Sequence, residues 1–302
     1  MKIVVLGTGA VGGYYGGRLA KAGNDVTFIA RGKTLEALQS NGLEIKSYTG
    51  NFIIKNPKVT SDLAAVRNAD LILFCVKSYS TSEIAKAIKP VIQDTAIIIS
   101  MQNGIDNENI LAATLGKEKI LGSVVYITSC CPEPGLIKHT SSGKMILGEL
   151  NGELTERLSK LEKLFLSSGI PISSSTNIKK ELWKKLMLNM PFNGFTALTK
   201  KPLKAYFEIP DSLDCFYKSL KEVQLIAKHE GYNISDEEVD EVFSICKSEQ
   251  TMNFKSSTLQ DLEAGKPLEI DSLQGTVIKI AHKHNLDIPI NKLLYTLLKA
   301  GF

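Results

Sequence analysis

The chain has 302 residues, of which 43% are hydrophobic and 23% are charged, so wholesale disorder is excluded and two domains are expected. No apolar run approaches the about 20 residues that a membrane-spanning helix needs. The formal net charge of +4 is too small to indicate a nucleic-acid-binding protein, but it suits a site that attracts small anions.

The N-terminal residues run directly into a strand pattern without a signal peptide, so we expect a cytoplasmic protein. The five cysteines contain no C-x-x-C pair, and their odd number argues against a complete set of disulfides. The four histidines show no metal-ligand spacing, so we expect no metal site.

Short β-branched segments alternate with helical segments through the first half of the chain. This alternation is typical of an α/β domain with a Rossmann-type, doubly wound and mostly parallel sheet. We place this domain at residues 1–175. The predicted strands are Lys2–Gly7, Asp25–Ala30, Asp70–Val76, Thr95–Ser100, Ile120–Ile127, Met145–Glu149 and Ile170–Thr176.

The alternation then ends, and apolar residues such as Leu220, Val223 and Ile226 recur at helical spacing. Breaks in this pattern, for example near residues 264–267, divide it into several helices. We therefore predict an all-helical C-terminal domain at residues 176–302.

A G-x-G-x-x-G pattern directly follows the first predicted strand and precedes a helix-like segment. Gly7 permits a tight turn, Gly9 lets the backbone approach a diphosphate, and Gly12 allows the helix to pack closely on the strand. The N-terminus of the helix would add oriented N–H donors. We predict a dinucleotide site formed by Gly7, Thr8, Gly9, Ala10, Val11 and Gly12.

The residue type at the end of the second strand distinguishes NAD-binding from NADP-binding proteins. An acidic residue there would accept a hydrogen bond from the ribose 2′-hydroxyl of NAD. This chain has Arg31 and Lys33 at that place and no acidic residue. Both side chains can bind a 2′-phosphate through charge-assisted hydrogen bonds. We therefore predict NADP(H) as the cofactor, with a pair of solvated surface cations as the alternative.

Two further loops follow predicted strands at their carboxyl ends, where the ligands of open α/β sheets bind. Lys77 comes directly after one of these strands, and Asn103 follows the next one. Both side chains can reach the nicotinamide half of a cofactor. The alternatives are a solvated loop charge for Lys77 and a plain Asn-Gly turn for Asn103.

A polar row opens the helical half of the chain. Lys185, Asn189 and Asn193 are spaced four residues apart, which places them along one side of a helix with a drift of about 40° per step. Apolar neighbours such as Trp183 indicate that much of this helix is buried, so the cation and the two amides need partners such as a bound keto acid. Lys184 lies on another side of the helix, and Lys185 is therefore the better catalytic candidate.

Four motifs together resemble the ketopantoate reductase family over nearly the whole chain. The resemblance implies reduction of 2-dehydropantoate to pantoate with NADPH, on the route to pantothenate and coenzyme A. The motifs are, in order, the glycine-rich loop with Arg31, QNG at 102–104, ELWKKLMLN-x3-N at 181–193 and SSTLQDLEAGKPLEID at 256–271.

The resemblance also assigns roles to single residues. It matches the catalytic lysine to Lys185 and the substrate-binding asparagines to Asn189 and Asn193. Asn103 matches an asparagine that contacts both cofactor and substrate.

Further matches lie in the last of these motifs and at two positions outside the motifs. Ser257 matches the serine that binds the substrate carboxylate, and Glu269 matches the glutamate that contacts the substrate hydroxyl and helps to position the lysine. Lys77 and Thr128 fall where the family contacts NADPH. Without the resemblance, Ser257 would be read as a surface serine and Glu269 as a first-turn helix acid. The chain departs from the family at 201–203, where some members have a further asparagine.

The expected reaction is hydride transfer to the C2 ketone, with Lys185 as the general acid and Glu269 beside it. Two alternatives stay open, because a fold does not determine its substrate. One is a related reductase of another small keto or hydroxy acid, and the other is a non-catalytic sensor that binds NADPH. We expect a small-molecule partner rather than nucleic acid or membrane, and a homodimer stays open.

Overall fold

The computed structural model describes residues 1–301 and divides the chain into two compact units. The first unit contains residues 1–102 and 107–178, and the second contains residues 103–106 and the chain from Lys179 onward. The predicted boundary, between 175 and 176, lies close to this division, but the sequence does not predict that residues 103–106 join the second unit. None of the described helices is long and apolar enough to cross a membrane.

The first unit contains a ten-stranded sheet in the order β4-β3-β9-β8-β7-β6-β1-β2-β5, with β10 beside β9. The strands from β8 through β7, β6, β1 and β2 to β5 are all paired in parallel, which confirms the predicted mostly parallel sheet. The strands are β1 (Lys2–Leu6), β2 (Asp25–Ile29), β3 (Leu43–Ser47), β4 (Phe52–Ile54), β5 (Lys58–Thr60), β6 (Leu71–Phe74), β7 (Ile97–Ser100), β8 (Ile120–Glu133), β9 (Leu136–Glu149) and β10 (Ile172–Ser174).

Helices cover both faces of this sheet and form all the regular structure among the described residues of the second unit, as predicted. The helices that begin in the first unit are α1 (Ala10–Lys21), α2 (Gly32–Asn41), α3 (Thr81–Ile88), α4 (Asn107–Leu115), α5 (Glu156–Ser167) and α6 (Ile178–Thr199). The others are α7 (Leu203–Phe207), α8 (Ser212–His229), α9 (Asp236–Lys247), α10 (Glu249–Asn253), α11 (Ser257–Glu263), α12 (Thr276–Lys283) and α13 (Pro289–Gly301).

Strand β1 shows how the two helix layers arise from the sequence. Successive side chains of a strand point to opposite faces of the sheet. Ile3 and Val5 belong to the apolar cluster that contains residues of α1 and α5, whereas Val4 and Leu6 belong to the cluster that contains residues of α3 and α4. A run of apolar residues without alternation is therefore buried on both faces, as in other parallel sheets.

A long antiparallel hairpin corrects the prediction for the end of the first domain. The predicted strand Ile120–Ile127 continues to Glu133, and the predicted Met145–Glu149 is only the end of a strand that begins at Leu136. A two-residue turn at 134–135 joins these strands. Polar residues on β9 alternate with buried ones and face away from the core, so they resemble a loop in sequence although they are paired.

Three short strands, β3, β4 and β5, are also absent from the prediction. The strands β4 and β5 have three residues each, which is too short for a period of two residues to stand out. Strand β3 pairs in parallel with the first part of β9, and its buried residues Leu43 and Ile45 belong to the same apolar cluster as α1. These strands widen the sheet at its edges and leave the parallel centre unchanged.

The helix α1 packs against the sheet at Gly16, where there is no room for a side chain. A Cβ atom at Gly16 would lie 2.6 Å from Cε1 of Phe28 and 2.6 Å from Cγ2 of Val5. Real Cβ atoms do not approach other atoms this closely, so the strand or the helix would have to move. The position of α1 on β1 and β2 therefore depends on this residue.

We predict that Gly16→Ala lowers the free energy of unfolding by about 1 to 3 kcal/mol, because the added methyl group overpacks the contact with Phe28 and Val5. Urea or thermal unfolding followed by circular dichroism measures the change. The matched control is Gly301→Ala, since this residue also belongs to a helix, as the last residue of α13, and no heavy atom lies within 4 Å of its Cβ position. Equal stability of the two variants would contradict the close packing of α1.

Candidate active site

The glycine-rich turn after β1 is held by contacts within the first unit. Gly7 has a φ angle of +95°, which L side chains rarely adopt, and a Cβ atom there would lie 2.9 Å from the carbonyl carbon of Cys75. A Cβ atom at Gly12 would collide with the carbonyl oxygen of Gly7 and lie 2.9 Å from Cγ1 of Val5. Gly7 and Gly12 are thus required by the packing of the turn itself.

Gly9 differs from these two glycines because nothing in the protein occupies the space in front of it. It is the residue before α1, it is exposed, and no heavy atom lies within 4 Å of its Cβ position. The first turn of α1 contains no acidic residue, and its first N–H groups have no partner within the helix. An open space before a helix N-terminus fits a diphosphate group.

The other residues of the predicted loop can contribute only through their backbone. The side chain of Thr8 is 7% exposed and its hydroxyl donates to the carbonyl oxygen of Ile29 at 3.1 Å. Val11 packs against the apolar cluster of the first unit, and Ala10 is the first residue of α1. Thr8 therefore ties the turn to the end of β2, while the backbone of all three residues lines the turn.

Arg31 lies directly after β2 and immediately before α2. It is exposed, as are Gly32 and Lys33. Because β1 and β2 are paired in parallel, the turn at Gly7 and the loop at Arg31 lie at the same edge of the sheet. This placement is what the predicted contact of Arg31 with a 2′-phosphate requires.

The loops after β6 and β7 are joined by a buried network around Gln102. Its amide nitrogen donates to the carbonyl oxygen of Val76 at 2.8 Å and to Oγ1 of Thr81 at 2.7 Å. The hydroxyl of Thr81 in turn donates to Oδ1 of Asn107 at 2.9 Å. Gln102 thus fixes the residue next to Lys77, a role that the spacing of the sequence does not reveal.

Thr128 lies elsewhere on the sheet. It is half-buried on β8 opposite Ser141, beyond Gly122, the last residue of β8 that pairs with β7. The structure places it on the antiparallel hairpin rather than in one of the loops that follow the parallel strands. Its predicted contact with the cofactor stays a prediction.

The polar row of the second unit lies on α6, which continues through Pro191. Asn189 is 8% exposed, and its amide nitrogen donates to Oδ1 of Asn103 at 3.1 Å. The structure thus brings these two predicted substrate-binding residues together. Asn193 is 2% exposed, and its amide nitrogen has no hydrogen-bond partner among the described residues. A buried donor of this kind costs free energy unless a ligand accepts its hydrogen bond.

Lys185 precedes these asparagines on α6 and is half-buried. Burial lowers the pKa of its ammonium group to about 8, although the nearby Cys246 thiol has a small opposite effect. Cys246 lies within the apolar cluster of the second unit, so the surroundings of Lys185 are only weakly polar on that side. A lysine with this pKa is mostly protonated at neutral pH and can still release its proton readily.

A separate ion-pair cluster holds the neighbouring lysines of α6. Oε2 of Glu238 lies 2.8 Å from Nζ of Lys180, and its Oε1 lies 3.2 Å from Nζ of Lys184. The same carboxylate accepts from the backbone N–H of Ser235 at 2.9 Å and so completes the capping box of α9. The cluster anchors α9 on α6. It gives Lys184 an ion-pair partner, consistent with the prediction that Lys184 lies on a different side of the helix from Lys185.

Ser257 and Glu269 lie on other segments of the second unit. Ser257 is exposed at the first position of α11, whereas its neighbour Ser256 is fully buried and caps that helix. Glu269 is half-buried, and its carbonyl oxygen accepts from the N–H of Leu273 at the helical turn before α12. Their roles toward a substrate stay predictions.

Comparison with known proteins gives consistent matches over both units. A family model described as ketopantoate reductase PanE/ApbA matches residues 3–152, and a second, described as its C-terminal region, matches residues 177–301. A 2-dehydropantoate 2-reductase of Pyrococcus horikoshii is 33% identical over 302 residues, with 99% of this chain and 97% of the relative covered. The uncharacterized oxidoreductase YkpB of Bacillus subtilis is also 33% identical, covering 98% of this chain and 97% of its own.

A solved structure supports the same match. The crystal structure of 2-dehydropantoate 2-reductase from Geobacter metallireducens superposes with a TM-score of 0.95 at 31% identity. The superposition covers 100% of both chains. The similarity therefore includes the parallel sheet as well as the helical unit.

We predict that Glu238→Gln lowers the free energy of unfolding by about 1 to 3 kcal/mol near neutral pH, because two lysines lose their shared counter-ion. Partial burial by itself opposes ionisation, but the Lys180 contact, the Ser235 N–H and Lys184 together lower the pKa of Glu238 to about 2. A lowered folded-state pKa stabilises the fold above the unfolded-state value near 4.5, and this stabilisation is lost as pH falls toward 2.

Urea unfolding at several pH values measures this difference between the wild-type protein and Glu238→Gln. Glu237→Gln is the matched control, because Glu237 is exposed in the same first turn of α9 and carries the same charge. The ion-pair interpretation is wrong if both variants lose the same stability, or if the loss is independent of pH.

Proposed function

The chain belongs to the ketopantoate reductase family of oxidoreductases, and on this premise we propose that it reduces 2-dehydropantoate to pantoate with NADPH, a step toward pantothenate and coenzyme A. The observation that carries the proposal is the row on α6. It combines a half-buried lysine of lowered pKa with an asparagine amide that is buried and lacks a partner among the described residues. Such a row suits a small molecule with several oxygen atoms.

The residues of the first unit fit the predicted cofactor. The backbone of the turn at Gly9 and the first N–H groups of α1 would hold the diphosphate, since no heavy atom beyond its chain neighbours lies within 4 Å of the Cβ position at Gly9. Arg31 would bind the 2′-phosphate with help from Lys33, and both side chains are exposed at the edge where this group would lie. Lys77 and Asn103 would contact the nicotinamide half. When bound, NADPH supplies the hydride.

The residues of the second unit would bind and protonate the substrate. Lys185 donates a proton to the C2 oxygen as negative charge develops there. Asn189 and Asn193 orient the substrate through their amide groups, while the hydroxyl of Ser257 donates to the substrate carboxylate. Glu269 accepts from the terminal hydroxyl of the substrate and helps to hold Lys185. These contacts fix the C2 carbonyl for attack, which lowers the entropic part of the barrier.

A second candidate is the reduction of another small 2-keto acid by the same chemistry. It is favoured by the departure at 201–203, where Lys201 and Pro202 stand in place of the further asparagine of some family members. Pro202 directly precedes α7, so the backbone at this position forms the start of a helix. A missing polar contact at this position would weaken selection for a substrate that carries an additional hydroxyl group.

We predict that the purified protein oxidises NADPH rapidly with 2-dehydropantoate and much more slowly with pyruvate, 2-ketoisovalerate or oxaloacetate. Loss of NADPH absorbance measures this, and the panel is repeated with NADH. Arg31→Ala is expected to raise the KM for NADPH by about 10- to 100-fold with little effect on NADH, because charge-assisted hydrogen bonds to the 2′-phosphate are lost.

Arg67→Ala is the matched control, because Arg67 is also an exposed arginine of the first unit. If the protein is active only with another keto acid, the proposed type of reaction stands and 2-dehydropantoate is excluded as the substrate. No oxidation with any member of the panel would overturn the enzymatic proposal.

We predict that Lys185→Ala lowers kcat by about 10²- to 10⁴-fold and leaves NADPH binding intact, because the general acid is removed and the cofactor loop is not. In the wild-type protein kcat/KM should fall as pH rises above about 8, since burial lowers the pKa of Lys185 to about 8 and only the protonated form donates. Steady-state rates between pH 6 and pH 10 measure both effects. Lys184→Ala is the control, because that lysine pairs with Glu238. Near-normal turnover of Lys185→Ala would exclude the residue as the acid.

A further inference from the structure

Two buried hydroxyl groups join α11 to α6. Thr196 on α6 and Ser256 before α11 are both 0% exposed, and their hydroxyl oxygens lie 2.6 Å apart. This distance is that of a strong O–H···O hydrogen bond. The contact connects the helix that carries the polar row with the segment that carries Ser257.

The direction of this hydrogen bond follows from the other partners of the two hydroxyls. Oγ of Ser256 accepts from the N–H of Leu259 at 3.2 Å, as expected of a helix N-cap. Oγ1 of Thr196 lies 2.7 Å from the carbonyl oxygen of Phe192, which can only accept. Thr196 therefore donates to Phe192, and Ser256 donates to Thr196. A chain of three hydrogen bonds runs from the first turn of α11 to the backbone of α6.

The helix α11 depends on such a contact because it is short. It has seven residues, and isolated helices of this length do not persist in water. The ion pair between Lys255 and Glu263, at 2.7 Å, is exposed and ties α11 only to the residue before its cap. The bond between Ser256 and Thr196, in contrast, is buried and leads to another helix.

We propose that Thr196 is a positioning residue for substrate binding, which holds Ser257 in place through the hydroxyl of Ser256. This inference rests on the proposed function, in which Ser257 binds the substrate carboxylate. The helix α6 then acts on the substrate twice, directly through Lys185, Asn189 and Asn193 and indirectly through Thr196, three residues after Asn193. One rigid element would set the distance between the carboxylate contact and the contacts to the ketone.

The test is Thr196→Val, which keeps the shape of the side chain and removes the hydroxyl. The buried hydroxyl of Ser256 then loses its acceptor, so the cap turns and Ser257 moves. The KM for 2-dehydropantoate should rise about tenfold, whereas kcat and the KM for NADPH change less than twofold, as expected for lost ground-state binding. Thr196→Ser restores the hydroxyl and should restore the KM.

The matched control is Thr199→Val. Thr199 lies on the same helix and bonds back to the carbonyl oxygen of Phe195 at 2.8 Å, as Thr196 does to Phe192, but it has no contact with Ser256. This control should leave the KM for 2-dehydropantoate unchanged. An equal rise in both valine variants would overturn the inference, because it would reflect a change in α6 alone.

Two further variants separate this inference from the proposed function. Ser257→Ala should raise the KM at least as much as Thr196→Val does. If Ser257→Ala raises the KM and Thr196→Val does not, the positioning role is wrong and the proposed function stands. If Ser257→Ala has no effect, the proposed role of Ser257 is wrong and the inference falls with it.

Ser256→Ala keeps the inference testable if Thr196→Val does not fold, since Thr196 retains its bond to Phe192 in that variant. It should raise the KM for 2-dehydropantoate by a similar factor. The double variant should be no worse than the more affected single one, because both substitutions break the same link. Additive effects of the two substitutions would overturn the inference.

Discussion

Parallel pairing of β1 with β2 and β6 is the constraint on which the predicted cofactor residues depend. It brings the carboxyl ends of these strands to one edge of the sheet, so the loops at Gly7, Arg31 and Lys77 begin there. Gly7 and Gly12 are already required by contacts within the protein, whereas Gly9 has no neighbour that would need it to be glycine. Packing therefore explains two of the three glycines, and the open space at the third leaves room for the ligand that the proposed function places there.

In the second unit, the predicted substrate-binding residues depend on α6. This helix carries the polar row, and contacts hold it near both of its ends. Near its start, Glu238 binds Lys180 and Lys184 and so joins α9 to it. Near its end, Thr196 contacts the cap of α11. The first link is partly buried, whereas the second is fully buried, where hydrogen bonds are stronger and a missing partner costs more. The row between them is thereby fixed in register and in rotation about the helix axis.

The parallel centre of the sheet and the helical nature of the second unit are predictable from sequence, because continuous apolar strands and helical periodicity are local signals. The hairpin of β8 and β9 is not, because its exposed polar residues resemble a loop. The partners Glu238, Gln102 and Thr196 are not predictable either. Each acts through a contact with a residue far away in the chain, and neither its type nor its spacing indicates which distant group it reaches.

Two members of the polar row on α6, Lys185 and Asn193, carry a free-energy cost in the folded protein. Lowering the pKa of Lys185 from 10.5 to about 8 corresponds to a desolvation cost on the order of 3 kcal/mol, present below pH 8 and relieved as pH rises toward 10.5. The buried amide nitrogen of Asn193, which lacks a partner among the described residues, adds about 1 to 3 kcal/mol. Apolar residues at both places would remove these costs. A ligand whose oxygen atoms accept from the ammonium and the amide offsets them, so the row is suited to an oxygen-rich anion and not to an apolar molecule.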